Sequence, residues 1–120
     1  MGHLALVNIL YLENHAVFAQ QVIQQFLRAH HVTVVPSLAA ARSTFASGRF
    51  DLVLSDYDLD DGKGEEFVRE CRASDPRMPI IAVSSHEAGN AALVAAGASA
   101  VCGKMEFDRI QQVIGRFEHA

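Results

Sequence analysis

Cysteine is scarce in this sequence: Cys71 and Cys102 stand alone, outside any CxxC pair and outside any His/Cys cluster with zinc spacing. That excludes a disulfide framework and a zinc module, and reads as two buried, reduced thiols in a cytosolic protein. Long apolar runs are missing too. None approaches the ~20 residues of a membrane span, and Met1-Gly2-His3-Leu4 lacks the basic region and cleavage site of a signal peptide. The expected location is cytoplasmic, with no membrane partner. Positive charge is in deficit, 10 Lys and Arg against 14 Asp and Glu, for a net charge of −4. No basic stripe is present to pair phosphates, so direct contact with nucleic acid is not expected. There is also no glycine-rich phosphate cradle after the first apolar segment, and no internal repeat, linker or low-complexity stretch.

What is present is an ordinary globular composition, 50% apolar and 20% charged over 120 residues. That length suits one compact domain, with a core that needs no staples. Leu4 to Leu12 is apolar except for Asn8 and predicts a buried strand. Glu13-Asn14 ends it, with Asn14 a candidate N-cap. A helix follows with Phe18, Val22, Ile23, Phe26 and Leu27 on one face. His30-His31 is expected to close it, capping its end or exposed to solvent. Val32–Val35 predicts a second strand, and Ser37 caps a second helix carrying Leu38, Ala41 and Phe45 and ending at Gly48. Leu52–Leu54 predicts a third strand. A third helix follows Gly64, turns Phe67, Val68 and Cys71 inward, and stops before Asp75-Pro76. Pro79–Val83 predicts a fourth strand, Glu87–Ala96 a helix ended by Gly97, and Ala100–Cys102 a fifth strand. Phe107, Ile110, Val113, Ile114 and Phe117 give a last helix its apolar stripe. Five strands reading as apolar runs, each followed by an amphipathic helix, predict an α/β domain whose parallel sheet is covered on both faces.

The stretch FDLVLSDYDLDDGKGEEF, Phe50 to Phe67, brings an apolar strand up to Asp56 and then crowds further carboxylates behind it. Like charges held close repel, so a cation is needed nearby. The residues that follow the other strands show where it comes from. Glu13 and Asn14 follow the first, Ser84 and Ser85 the fourth, and Lys104, past Gly103, the fifth. In an open parallel sheet these positions share the carboxyl edge, where ligands bind. Asp60-Asp61-Gly62 reads as turn chemistry, with Gly62 and Gly64 supplying unusual backbone angles.

The stretches LENH, LVLSDYDLDDGKG, IIAVSS and AAGASAVCGK, in this order, resemble the receiver domain of two-component response regulators over essentially the whole chain. The resemblance implies a flavodoxin-like (βα)5 three-layer fold with strand order 2-1-3-4-5. It implies a phospho-accepting role without independent enzymatic activity: a phosphoryl group passes from a histidine kinase or phosphotransfer protein to Asp56, and the chain switches conformation for an output domain or partner protein. Ser84 matches the family's hydroxyl position and Lys104 its lysine. Glu13 and Asn14 fall at the acidic pair that holds Mg²⁺ together with Asp56 and the backbone carbonyl of Asp58. His86 and Asp58 face the space where the lifetime of the phosphoryl group is tuned. Pairing of two copies through the last two helices is a family habit.

The chemistry of these groups agrees with those roles. A carboxylate is a nucleophile toward phosphorus, Mg²⁺ favours hard oxygen ligands, and a lysine is a point charge for a phosphoryl oxygen. Three departures stand out. Asn14 replaces an acid, which predicts weaker metal binding. Val101 stands where many receivers carry a movable ring. Met105 follows Lys104 in place of proline, which predicts a trans peptide. The segment Ser84–Gly97 is also slightly short. Asn14, Val101 and Met105 favour an alternative, a pseudo-receiver acting as a phosphorylation-independent binding or dimerisation module; Asp56, Ser84 and Lys104 oppose it. A receiver of this length stands alone or belongs to a longer chain.

Overall fold

The computed structural model describes residues 6–117. Its main sheet contains β1 (Asn8–Leu12), β2 (His31–Val35), β3 (Leu52–Ser55), β6 (Ile80–Ala82) and β7 (Ala100–Val101), in the order β2-β1-β3-β6-β7 and parallel throughout. Numbered among themselves, these strands run 2-1-3-4-5, as expected for a flavodoxin-like fold. Helices α1 (Ala16–Phe26), α2 (Leu38–Ser47), α3 (Gly64–Ser74), α4 (Glu87–Ala96) and α5 (Ile110–Gly115) complete the layers. Between β3 and α3 lies a short antiparallel ladder that the sequence reading did not anticipate: β4 (Asp58–Leu59) pairs with β5 (Gly62–Lys63) across the Asp60-Asp61 turn.

Each face of the sheet has its own core. Ile9 and Tyr11 of β1, Leu52 and Leu54 of β3 and Ile81 of β6 turn to one side, against Val22, Phe107, Ile110 and Ile114. Leu10, Leu12, Val53, Ile80 and Ala82 turn to the other, against Leu38, Phe67, Val68 and Leu93. Alternation along a strand sends neighbouring side chains to opposite faces. Because both faces are covered, both sets must be apolar, which is why the strands read as unbroken runs.

Several local expectations hold. Ser37 caps α2, its Oγ accepting from Ala40 N at 3.1 Å. Gly97 follows α4 with φ +129°, a left-handed value that favours glycine. The Lys104–Met105 peptide is trans. Others need correction. The first strand begins at Asn8, while Leu4 and Ala5 lie outside the described residues. Asn14 does not cap α1: His15 occupies that position without a side-chain bond, and the Asn14 amide reaches instead to Asp60. α1 ends at Phe26, before the histidines. His31 opens β2 and is exposed, but His30 is buried. Its Nδ1 accepts from Val7 N at 3.2 Å, and its Nε2 meets Gln111 Oε1 at 3.2 Å. Gln111 Nε2 in turn donates to Phe26 O. A buried ring with polar partners at both nitrogens replaces the expected exposed cap. Finally, the stripe of the last helix begins in a 3-10 segment, Lys104–Arg109, which places Phe107 before α5 starts. No helix among the described residues is long and apolar enough to cross a membrane.

Candidate functional site

Backbone ladders bring the residues that end the strands to one rim. Glu13 N donates to Val35 O, Asp56 N to Leu12 O, Val83 N to Ser55 O, and Lys104 N to Ser84 O. In a parallel sheet these bonds fix the register of neighbouring strand ends. The rim therefore holds Glu13, Asp56, Ser84 and Lys104 as a consequence of the pairing.

Three of these side chains converge. Lys104 Nζ lies 2.8 Å from Asp56 Oδ2 and 2.9 Å from Glu13 Oε1. Both carboxylates are buried, at 5% exposure for Asp56 and 1% for Glu13. The second Asp56 oxygen accepts from Tyr57 N at 2.7 Å, and Glu13 Oε2 accepts from His15 N at 3.0 Å. The contact between Lys104 and Glu13 Oε1 is an ion pair by distance but poorly directed, so that buried oxygen has no hydrogen bond among the described residues. The ammonium also sits 4.9 Å from the centre of the Phe18 ring.

Charge follows from this packing. Burial is the largest influence on Glu13 and lifts its pKa above the ordinary glutamate value; the Lys104 contact opposes the rise without cancelling it. Burial also disfavours the charge on Lys104. The hydrogen bond to Asp56 and the contact with Glu13 outweigh it, and the ammonium is held above the usual lysine range. One cation thus screens two desolvated anions.

The acceptor loop depends on glycine. A Cβ at Gly64 would stand 2.0 Å from Asp56 O and 2.8 Å from Ser55 Oγ. Any side chain there would push the loop apart. Gly64 N donates to Tyr57 O at 2.6 Å, closing the loop behind Asp56. Asp61 ties the same loop to the start of α2, its two oxygens accepting from Leu38 N at 2.6 Å and Ala39 N at 3.1 Å. These bonds hold its carboxyl below the ordinary aspartate value.

The other expected residues are placed differently. Ser84 is buried at the rim, but its Oγ accepts from His86 N at 3.1 Å and makes no hydrogen bond to Asp56 or Lys104. His86 is exposed and precedes α4. The Asp58 carboxylate pairs with Lys63 across the β4–β5 ladder, and that lysine also covers the Tyr57 ring. No hydrogen bond or ion pair joins Asp58 to His86 among the described residues. Asn14 is half-buried, its Nδ2 donating to Asp60 Oδ1 at 3.3 Å. Val101 and Met105 are exposed.

Sequence reasoning missed Asn90. Its Oδ1 accepts from Ser84 N at 2.8 Å and its Nδ2 donates to Ser84 O at 3.0 Å. The only signal was a lone amide in the alanine-rich segment that forms α4. It also missed Tyr11, whose buried hydroxyl has no hydrogen-bond partner among the described residues. Burial first, and then Glu13 and Asp56, raise that phenol's pKa.

A divalent metal can be tested against these donors. Glu13 Oε1 is a buried anionic oxygen without a hydrogen bond, beside Asp56, which is what an oxygen-loving cation requires. The set is small, however: no group of three His, Cys, Asp or Glu side chains able to hold a metal occurs among the described residues. Two carboxylates, with the Asn14 amide between them in sequence, fit Mg²⁺ but supply little charge.

Comparison with known proteins identifies the family and the fold. No curated protein matches the chain. Among solved structures, the chain is similar to the receiver domain of the sensor histidine kinase PA1611 from Pseudomonas aeruginosa PAO1, solved with a magnesium ion coordinated in its active-site cleft. Identity is 28% and the TM-score 0.83, over 97% of this chain and 100% of that one. It is similar also to the response regulator TrrA from Thermotoga maritima, solved in complex with Mg²⁺-BeF, at 19% identity and TM-score 0.82, over 92% and 97%. A CheY-like receiver domain protein from Methanospirillum hungatei JF-1 matches at 19% identity and TM-score 0.80, over 94% of each chain. The family model of the response regulator receiver domain matches residues 9–114. With the sheet order, the buried acid at its carboxyl edge and the lysine bridging to it, that match shows that this chain belongs to the response regulator receiver family, the phospho-accepting domains of two-component signalling.

Proposed function

We propose that the chain accepts a phosphoryl group on Asp56 from a phosphohistidine of a histidine kinase or phosphotransfer protein, and signals by a shift between two conformations. The observation that carries this reading is the Lys104 ammonium 2.8 Å from a buried Asp56. In the transfer, an Asp56 oxygen attacks phosphorus and a P–O bond forms as the donor's P–N bond breaks. The electron pair leaves with the imidazole nitrogen. Asp56 supplies the nucleophile. Lys104 stays as a fixed positive charge for the phosphoryl oxygens, and positioning with charge neutralisation provides most of the catalysis in such reactions. Ser84 has a hydroxyl proton to donate to a phosphoryl oxygen once its loop moves. Glu13, Asn14, Asp56 and the Asp58 carbonyl would hold Mg²⁺, which when bound neutralises charge between acceptor and donor. His86 and Asp58 are candidates for tuning hydrolysis, with Asp58 first released from Lys63.

The pseudo-receiver reading is favoured by one observation, the lack of a third acid in the metal set. Incubation with acetyl phosphate and Mg²⁺ separates the two. A mass gain of one phosphoryl group in the wild type, absent from Asp56→Asn, is the expected result. No gain under any Mg²⁺ concentration supports the pseudo-receiver instead.

A further inference from the structure

We infer that Asn90 is the latch that holds the Ser84 loop in its resting position, and so sets how readily the domain enters its phosphorylated conformation. The inference rests on the reading of Asp56 as phospho-acceptor and Ser84 as its hydroxyl partner.

The geometry is specific. The Asn90 amide meets both backbone polar groups of Ser84, accepting from its N–H at 2.8 Å and donating to its carbonyl at 3.0 Å. The same carbonyl also receives Lys104 N at 3.4 Å. Asn90 therefore grips the point where the β6 loop meets the lysine segment. Ser84 Oγ is engaged in its own loop: it accepts from His86 N, and a Cβ at Gly89 would lie 2.7 Å from it. Asp56 has its own partners in Tyr57 N and Lys104. Any movement of the Ser84 backbone toward Asp56 has to stretch or break the two amide bonds, which therefore resist it. The latch borders open space: Ser84, Asn90, Val101 and Lys104 line a cleft of about 790 Å³. Val101 fills little of it, being a small side chain and 43% exposed. An alanine at position 90 makes neither bond, leaving Ser84 N to water in that cleft and Ser84 O to Lys104 N.

A latch on the resting state lowers apparent affinity for anything that binds the other state, because only the competent fraction binds. Asn90→Ala should therefore bind the phosphoryl mimic BeF₃⁻, with Mg²⁺, about three- to tenfold more tightly than the wild type. A residue that merely stabilised the fold would not strengthen binding when removed. Titration of both proteins by calorimetry or NMR reads the difference. Equal or weaker binding by the variant overturns the latch while leaving the phospho-acceptor reading intact. A wild type that takes no BeF₃⁻ removes both. Should Asn90→Ala not fold, the wild type provides the test. On saturation with Mg²⁺ and BeF₃⁻, the Asn90 side-chain amide protons should lose their hydrogen-bonded chemical shifts, and unchanged shifts overturn the inference.

Discussion

Lys104 touches both Glu13 and Asp56, the one cation among the described residues to do so, and its side chain is only 14% exposed. Replacing it by methionine keeps the packing on Phe18 and leaves two buried anions unscreened. Removing one partner from a buried ion pair costs about 3–5 kcal/mol, and partial solvent access at the rim brings the expected loss to about 2–3 kcal/mol at neutral pH. The pH dependence follows from Glu13, whose pKa is already raised by burial and rises further without the lysine. A carboxyl raised in the folded state costs stability above its folded pKa and costs nothing below its unfolded one. The Glu13 part of the Lys104→Met deficit should therefore shrink as pH falls through that raised folded-state pKa, which urea unfolding at several pH values will read. Mg²⁺ should restore more stability to the variant than to the wild type. At the metal set itself, Asn14→Asp adds the missing charge. It should tighten Mg²⁺ binding by about tenfold, as read by titration; unchanged affinity would show that position 14 is not a ligand.

At the scale of elements, the acceptor loop is held from two sides. Gly64 lets the loop close on Asp56 O, and Asp61 supplies the N-terminus of α2 with two accepting oxygens. Its carboxyl is exposed and is held below the ordinary aspartate value by those backbone bonds. A depressed acid contributes stability above its unfolded pKa and loses it as pH falls through the folded one. Asp61→Ala should thus lower the melting temperature at neutral pH, and the difference should vanish in strong acid. A gap that persists once the folded-state carboxyl is itself protonated would assign the effect to packing instead. The ladder β4–β5 carries the same lesson. Asp60-Asp61-Gly62 was legible as a turn, but the ladder around it depends on Lys63 crossing to Asp58 and Tyr57. That is a contact between side chains, and composition does not announce it.

Across the whole molecule, Phe107 joins the site to the core. Its ring meets Tyr11, Phe18 and Phe26 at centroid distances of 6.1 to 6.4 Å, while Phe18 lies under Lys104. Aromatic groups of this kind contribute beyond their buried area. Phe107→Ala should cost about 3–5 kcal/mol of stability, read by chemical denaturation. It should also weaken phosphorylation by acetyl phosphate, because the Lys104 segment loses its anchor. A large stability loss with unchanged phosphorylation would separate the core from the site. The half-buried chain of bonds from Val7 N through His30 and Gln111 to Phe26 O joins the start of β1, the end of α1 and α5 at the opposite edge of the sheet.

The sequence by itself determined the alternation of strands and helices, the two-faced burial of the sheet and the residues that end each strand. Those depend on periodicity and on local chemistry, which a linear reading captures. It placed Asp56 and Lys104 on one rim because parallel strands must end together. The tertiary structure decided which groups at that rim meet: the lysine on both acids, Asn14 on Asp60, Asn90 on Ser84, Asp58 on Lys63 and His30 in the interior. Each of those pairings joins residues from different elements. Their direction depends on rotamer and packing in three dimensions, and residues such as Asn14 or His30 carry the same local signal whether they cap a helix or cross to another loop.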